Sequence, residues 1–405
     1  MKLWIFNFTD PPPQKSNLQK RRHEAVAFKL MHLGHNVHWV LDSFSHTKKT
    51  YISKEDVLVE SGLSVTVIPS LGYKKNISLK RILHNIFLAI VSSYTLLKKI
   101  YINGKPDKVL VSFPSIEVSF ALSLICRALN IPFYIDFRDL HPEVFLTIKK
   151  NKLLRFLIFL FIIPYSFMVK IILRNAHRVF TTSPSVSKYL QKKYKLKNTP
   201  NSFFHCFEGS DIHKDGDSAL VKKIQNYKTQ CVNPIIFSYC GTLSTRLDLI
   251  TFVRAFKALE DKSNILCICG SGDMLNMLLQ EAHGHENIFI NSEISRQEVS
   301  RIYKISNFGI LPYPEALDFQ LAPPTKLSEM LFYDLTIISS ESTYLQRNLL
   351  SEVNSVFYKF ANLESLSLSI QDVSNKIFKS EVNHLCYKKY FSSQELDKMT
   401  EEILF

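Results

Sequence analysis

The chain has 405 residues, 46% of them hydrophobic, which is length and apolar content enough for two domains with separate cores. Seven cysteines stand at positions 126, 206, 231, 240, 267, 269 and 386 with no Cys-x-x-Cys pair, a pattern that argues against zinc or a disulfide framework and for a reducing compartment. The net charge of +14 is unevenly spread: residues 1–200 hold 31 Lys and Arg against 11 Asp and Glu, and the remainder is net acidic, so the first half suits a polyanion such as an anionic membrane face, a phosphorylated lipid or nucleic acid.

Met1-Lys2-Leu3-Trp4-Ile5-Phe6 runs into Asp10 and three prolines. It is too short for the apolar stretch of a secretory signal and reads as the first core strand. A Pro- and Lys-rich loop, Thr9 to Arg22, leads into a helix over His23–Leu33 that ends at Gly34, a favoured residue just past a helix. Val37–Leu41 is the second strand, and strand, loop, helix, strand is a doubly wound α/β opening.

Ser43-Phe44-Ser45-His46 follows that strand. Val65–Pro69, Tyr73-Lys74-Lys75-Asn76, and Arg81 and Asn85 on the next helix come after it. Pro106–Ser112 reads as a buried parallel strand, followed by a helix to Leu129. Pro132-Phe133-Tyr134-Ile135-Asp136-Phe137-Arg138-Asp139-Leu140-His141-Pro142-Glu143 is a strand that ends in charges. In an open α/β sheet ligands lie beyond the carboxyl ends of the strands, which is where this run places its Asp, Arg and His. Arg138 and Asp139 either pair to hold the loop or serve chemistry.

Leu153–Leu173 is intensely apolar, interrupted by Arg155, Pro164 and Lys170 and flanked by Lys149, Lys150, Lys152, Arg174 and Arg178. Three placements are open to it: a helix pair lying in a membrane interface, a buried helix, or a span. Interfacial lying is the expected one, with Lys and Arg reaching for phosphates, because spanning would split one α/β domain across a bilayer. Val179–Ser183 closes the first domain, and Ser185–Tyr194 is a basic helix. In the linker, Asp215-Gly216-Asp217 fits turn chemistry rather than a metal-binding pair, since no apolar strand leads into it.

Strand Ile235–Cys240 turns at Gly241-Thr242-Leu243 and continues to Arg246 and a helix. Strand Ile265–Cys269, with Cys267 and Cys269 as buried residues, ends at Gly270-Ser271-Gly272. Glycine turns of this kind let backbone N–H groups close on a diphosphate. Ile288–Ile294 is a further strand. After strand Phe308–Tyr313 comes Leu321-Ala322-Pro323-Pro324-Thr325-Lys326-Leu327-Ser328-Glu329-Met330-Leu331. Thr325 is placed to cap a helix whose N-terminus suits a phosphate. Lys326 adds a full charge there, and Glu329, one turn on, can accept from a ribose diol. A strand at Leu335–Ser339 and two helices follow, the last over about Ser393–Leu404.

The Pro324–Met330 run resembles the nucleotide-sugar site of GT-B glycosyltransferases of family-4 type. Leu321 stands where that family usually has a second Glu, and Thr242 stands where it usually has a cation. The resemblance implies that Lys326 meets the donor diphosphate and Glu329 holds the ribose. Thr325, Leu327, Gly241, Thr242, Arg246, Gly270 and Gly272 complete the donor site, and the backbone of Ile294 reads the base. Ser43–His46, Tyr73–Asn76 with Arg81, and Asp136–Glu143, which carries His141 in place of the usual Trp, resemble the O-antigen, capsule and exopolysaccharide subgroup that includes fucosamine transferases.

The implied fold is α/β, two doubly wound Rossmann-like domains facing across a cleft. Residues 1–200 would bind acceptor and membrane, 201–233 would link, 234–385 would bind the nucleotide sugar, and a C-terminal segment from 386 would cross back onto the first domain. Asp139, with Arg138 and His141, is the expected catalytic group, orienting or deprotonating the acceptor hydroxyl. Arg21, Arg22, His46, Asn76 and Arg81 are the expected acceptor contacts. Retention of configuration is implied. No metal and no cofactor beyond the UDP-sugar or other nucleotide-sugar donor is expected, since diphosphate contacts can stabilise the leaving group.

The basic half and Leu153–Leu173 point to an undecaprenyl-diphosphate-linked saccharide as acceptor, and to a cytoplasmic enzyme peripheral on the inner membrane face. Nucleic acid is not an expected partner, because the basic residues alternate with aliphatic runs rather than an aromatic platform. A sugar-nucleotide 2-epimerase and a non-enzymatic basic adaptor are the alternatives.

Overall fold

A computed structural model describes every residue except 11–12, 14–19, 47–48, 53–61, 75–77, 148–151, 208–217, 260–261, 293 and 374–379. Asn76 and Asp215-Gly216-Asp217 lie outside the described residues. The chain divides into two compact units, Met1–Phe204 with Gln394–Phe405, and His205–Ser393. The second boundary thus falls eight residues later than the expected start of the returning segment at 386.

In the first unit the elements are β1 (Lys2–Phe6), α1 (Arg22–His32), β2 (Asn36–Asp42), β3 (Leu63–Ile68), α2 (Leu79–Asn103), β4 (Lys108–Phe113), α3 (Ile116–Ala128), β5 (Phe133–Phe137), a short 3-10 turn (Glu143–Thr147), α4 (Lys152–Asn175), β6 (Arg178–Thr181), α5 (Pro184–Tyr194) and β7 (Asn201–Ser202). All pairings are parallel, in the order β3-β2-β1-β4-β5-β6-β7. The order reverses between β1 and β4, which opens a crevice at their carboxyl ends. Strands β4 and β5 are almost wholly apolar and buried, as parallel strands covered on both faces must be; Phe113 and Phe137 stack across them at 4.1 Å.

Ser78 caps α2 by accepting from the Arg81 N–H at 3.3 Å, and Gly104 ends it with φ 77, a backbone angle that favours glycine. Leu153–Leu173, expected as a helix pair, lies instead within the single helix α4, with Pro164 inside it. The proline removes one backbone hydrogen bond but does not break the helix. The expected linker is also partly structured: it supplies β7 and α6.

The second unit continues with α6 (Ala219–Lys228), β8 (Ile235–Cys240), α7 (Leu249–Ala258), β9 (Asn264–Cys269), α8 (Leu275–Ala282), β10 (Ile288–Asn291), α9 (Arg296–Ile305), β11 (Phe308–Leu311), α10 (Leu317–Leu321), α11 (Thr325–Phe332), β12 (Thr336–Ser340), α12 (Tyr344–Asn348), β13 (Ser355–Tyr358), α13 (Leu363–Val373) and α14 (Val382–Tyr390). Its sheet runs β10-β9-β8-β11-β12-β13, again parallel and again reversing beside its first strand. Strand β13 and the added helices were not expected beyond Ser339. The last helix, α15 (Gln394–Leu404), belongs to the first unit and packs on α1. There Glu395 accepts from the Phe204 N–H at 3.3 Å, and the Arg22 Nε donates to the Met399 sulfur at 3.2 Å.

Candidate functional site

The carboxyl ends of β8, β9 and β10 surround a pocket of about 580 Å³ in the second unit. Gly241, Gly270, Ile294 and Arg296 are among its lining residues. The turns after β8 and β9 run side by side: the Gly241 N–H donates to the Cys269 carbonyl at 2.8 Å and the Leu243 N–H to the Ser271 carbonyl at 2.9 Å. A Cβ on Gly270 would collide with the Gly241 carbonyl, and one on Gly241 would collide with the Lys326 side chain. The glycines are what let these turns and the lysine share the space. Among the described residues the N–H groups of Thr242, Ser271 and Gly272 have no partner, so the turns offer a nest of donors for an anion.

Helix α11 brings in the rest. Thr325 does not cap it: Pro324 is the N-cap and Thr325 is the first helical residue, its side chain exposed. Leu327 buries its side chain in the core and gives its N–H to the Pro324 carbonyl at 2.9 Å, so it has no group to offer a ligand. Lys326 reaches over Gly241, with its ammonium 5.1 Å from the Tyr239 ring centroid. Burial lowers its pKa, partly offset by the Glu329 carboxylate; an anion would supply the missing counter-charge.

Glu329 is 5% exposed and forms an ion pair with Arg296 at 3.2 Å. Burial raises its carboxyl pKa while Arg296 opposes the rise. The carboxylate is therefore held by a residue that the sequence reading missed. The signal was present: Ser295-Arg296-Gln297-Glu298 is a capping box, and it forms, with Ser295 capping α9 and Glu298 reaching back to the Ser295 N–H at 2.8 Å. Arg246 points elsewhere, paired with Asp318 at 3.0 Å and stacked on Phe319.

In the first unit the carboxyl ends of β1, β2 and β5 carry a polar belt. Arg138 and Arg21 both bind Asp10, at 2.7 and 3.0 Å. Asn7 donates to the same carboxylate at 2.8 Å. Beneath it, His23 lies 3.0 Å from Asp136 and Arg22 lies 3.2 Å from it. Burial works to raise the Asp10 carboxyl, yet Arg138, His23 and Arg21 hold it well below its ordinary range. Asp136 likewise falls to about 2, because Arg22 and His23 outweigh burial. Burial would depress His23, but Asp10 and Asp136 raise it.

This cluster corrects the expected acceptor role of Arg22. It is 3% exposed and donates to the carbonyls of Phe203 and Thr181 at 2.7 and 3.2 Å, so it anchors the fold. Asp10 and His23 were missed because their partners come from distant elements.

Arg138, Asp139 and His141 point three ways. Arg138 turns in to Asp10, Asp139 is exposed, and His141 lines a pocket between α2, α3 and α4. Arg81 lines that same pocket and lies over the Tyr73 ring, 5.7 Å from its centroid. The Tyr73 hydroxyl in turn bonds to His46 Nδ1. Burial, with Lys49 and Arg81 nearby, brings His46 down to about 4. The imidazole is therefore held neutral at neutral pH. His46 and Arg81 thus meet through Tyr73, and Arg81 and His141 line one pocket.

Among the described residues no group of three His, Cys, Asp or Glu is placed to hold a metal ion. Cys240 and Cys269 line the second-unit pocket, and Cys267 lies 3.6 Å from Cys269, sulfur to sulfur.

No protein-family model matches this chain, and no curated protein matches it. Solved structures do. A sucrose-phosphate synthase from Thermosynechococcus elongatus is 12% identical and aligns over 100% of this chain and 98% of its own, with a TM-score of 0.67. HepE of Anabaena, in complex with UDP, is 11% identical over 100% and 99%, with a TM-score of 0.65. The fold is GT-B. A putative UDP-N-acetylglucosamine 2-epimerase from Listeria monocytogenes also matches, 12% identical over 99% and 95%, with a TM-score of 0.57. At these identities the likeness establishes the GT-B fold, which transferases and epimerases share.

Proposed function

We propose that this GT-B chain is a glycosyltransferase of family-4 type that moves a sugar from a nucleotide-diphospho-sugar, a UDP-sugar, to a lipid-linked saccharide in surface-polysaccharide synthesis. The observation that carries this is the second-unit pocket. Paired glycine turns with unpartnered N–H groups line a space of about 580 Å³ together with Arg296, and α11 brings a desolvated Lys326 over Gly241 and a buried Glu329 into an ion pair with Arg296. The turns and Lys326 bind the diphosphate, Glu329 accepts from the ribose, and the backbone at Ile294 meets the base. In the transfer the sugar C1–oxygen bond to the diphosphate breaks and the acceptor oxygen takes its place with retention. The leaving charge falls on Lys326 and the turn N–H groups, with no metal required. In the first unit Asp139 orients or deprotonates the acceptor hydroxyl, Arg138 is positioned by Asp10, and His46, held neutral, contacts the acceptor.

The lipid-linked acceptor and the peripheral, inner-face location rest on the first unit's apolar exterior. Leu83, Ile86, Ile90, Tyr94, Leu97 and Tyr101, spaced three or four apart along α2, are all exposed, and so are Phe156, Phe159, Leu160, Ile163 and Phe167 on α4. Both helices are long and apolar enough to cross a membrane, but each connects strands of one parallel sheet. Spanning would tear that sheet apart, so they lie against the surface. Such a face, on the half of the chain with 31 Lys and Arg, fits an anionic membrane.

The test is incubation with labelled UDP-sugars and a bacterial lipid extract. Label entering the organic phase supports the transferase. A new nucleotide sugar formed without lipid would instead establish an epimerase, the reading favoured by the Listeria neighbour.

A further inference from the structure

The pocket bounded by α2, α3 and α4 holds about 350 Å³. Ile82, Ile116, Ile158 and Phe161 make its walls apolar, and Arg81, Asn85, Glu117, Tyr165 and His141 supply its polar groups. Tyr165 donates to Glu117 at 3.0 Å, and burial raises the Glu117 carboxyl while Tyr165 and Asn85 oppose the rise. His141 sits on the loop that also carries Arg138 and Asp139. The pocket is therefore amphiphilic: hydrocarbon walls between the two helices with exposed apolar faces, and a polar side that reaches the loop assigned to acceptor chemistry.

We propose that this pocket takes the hydrocarbon stem of the acceptor lipid, a single isoprenoid-like chain, with its phosphorylated head toward Arg81 and His141. The proposal rests on the lipid-acceptor reading above. Size selects one chain: at about 30 Å³ per water-sized group the space admits roughly a dozen such groups, too few for both chains of a phospholipid. Its position selects amphiphile over free sugar, since a sugar gains nothing from Ile82, Ile158 and Phe161. A stem seated here leaves the bilayer between α2 and α4 and delivers its head to the loop.

The experiment is calorimetric titration of the full-length protein with farnesyl diphosphate below its micelle concentration, with inorganic diphosphate and dihexanoyl phosphatidylcholine as comparisons. The proposal predicts saturable binding of farnesyl diphosphate, at least 10-fold tighter than either. Ile82→Trp, which fills the pocket, and Ile158→Glu, which charges its wall, each weaken that binding at least 10-fold. Tyr101→Ser, on the same helix outside the pocket, leaves it unchanged. Circular dichroism and melting matched to the parent confirm that each variant is folded.

Equal affinity for inorganic diphosphate would overturn the proposal, as would chain-dependent binding untouched by both pocket variants or lost equally in Tyr101→Ser. A parallel UDP titration separates the two readings. If farnesyl diphosphate fails while UDP binds and transfer to a soluble acceptor persists, the stem pocket falls and the transferase stands. If farnesyl diphosphate binds as predicted while UDP does not, the pocket stands and the transferase reading falls.

Discussion

Glu329 is a buried carboxylate with one strong partner, Arg296, and its worth to a nucleotide comes from the hydrogen bonds it accepts. A hydrogen bond to a charged group contributes about 1.5–3 kcal/mol, so Glu329→Ala should weaken UDP binding by roughly 10- to 100-fold; unchanged affinity by calorimetry would remove it from the site. Gly270→Ala should do more, because the added methyl meets the Gly241 backbone carbonyl, which cannot swing aside. UDP binding should be lost and the second unit should melt lower; a variant that binds UDP normally would show that the paired turns do not form the nest. Lys326 and Glu329 were legible from sequence because they sit one turn apart on one helix, so local spacing fixes their relation. Arg296, Asp10 and His23 were not, because each acquires its role from a partner on another element. Thr325 was misread for a local reason: Pro324, in extended backbone, occupies the cap position and puts Thr325 one residue inside the helix.

At the level of elements, β5 and α1 are tied by the buried cluster around Asp136. Breaking a buried ion pair from one side costs about 3–5 kcal/mol, so Asp136→Asn should lower the melting temperature of the first unit and leave UDP binding alone. Loss of UDP binding with an unchanged melt would contradict that assignment.

The cluster also sets a pH response. Asp10 and Asp136 have lowered folded pKa values, so their contribution is present above the ordinary carboxylate range and is lost as pH falls toward about 2 for Asp136. His38 and His46 are lowered to about 4, chiefly by burial. The unfolded chain then binds more protons between about 4 and 6.5, and stability declines as pH drops through that window. His23 is raised, so its contribution is present at low pH and is lost as pH climbs through its folded value. Melting of the first unit should therefore fall between pH 6.5 and 4, and His38→Gln should flatten that slope; an unaltered slope would contradict it. Most strands were legible here because parallel strands read as short apolar runs between turn residues. The single helix α4 was not, since Pro164 suggests a break that the flanking apolar turns override, and the outward stripe of α2 went unread although its spacing is plainly helical.

For the whole molecule, the two-domain GT-B plan was legible because βα alternation restarts after the linker. The last helix was legible too, at about Ser393–Leu404, but the start of the returning segment was placed at 386 rather than Gln394, because where a chain returns is marked only by what it packs on. If the exterior of α2 and α4 meets lipid, the protein should sediment with anionic vesicles at low salt, less so at high salt. Ile90→Glu with Tyr94→Glu should shift it to the supernatant; sedimentation unchanged in that variant would place the contact elsewhere.

The central claim is the nucleotide site of the second unit, and calorimetric titration with UDP, GDP, CDP and dTDP in the presence of EDTA tests it most directly. The account predicts saturable binding of UDP without added metal, weakened in Glu329→Ala. Failure of all four to bind folded protein would contradict it.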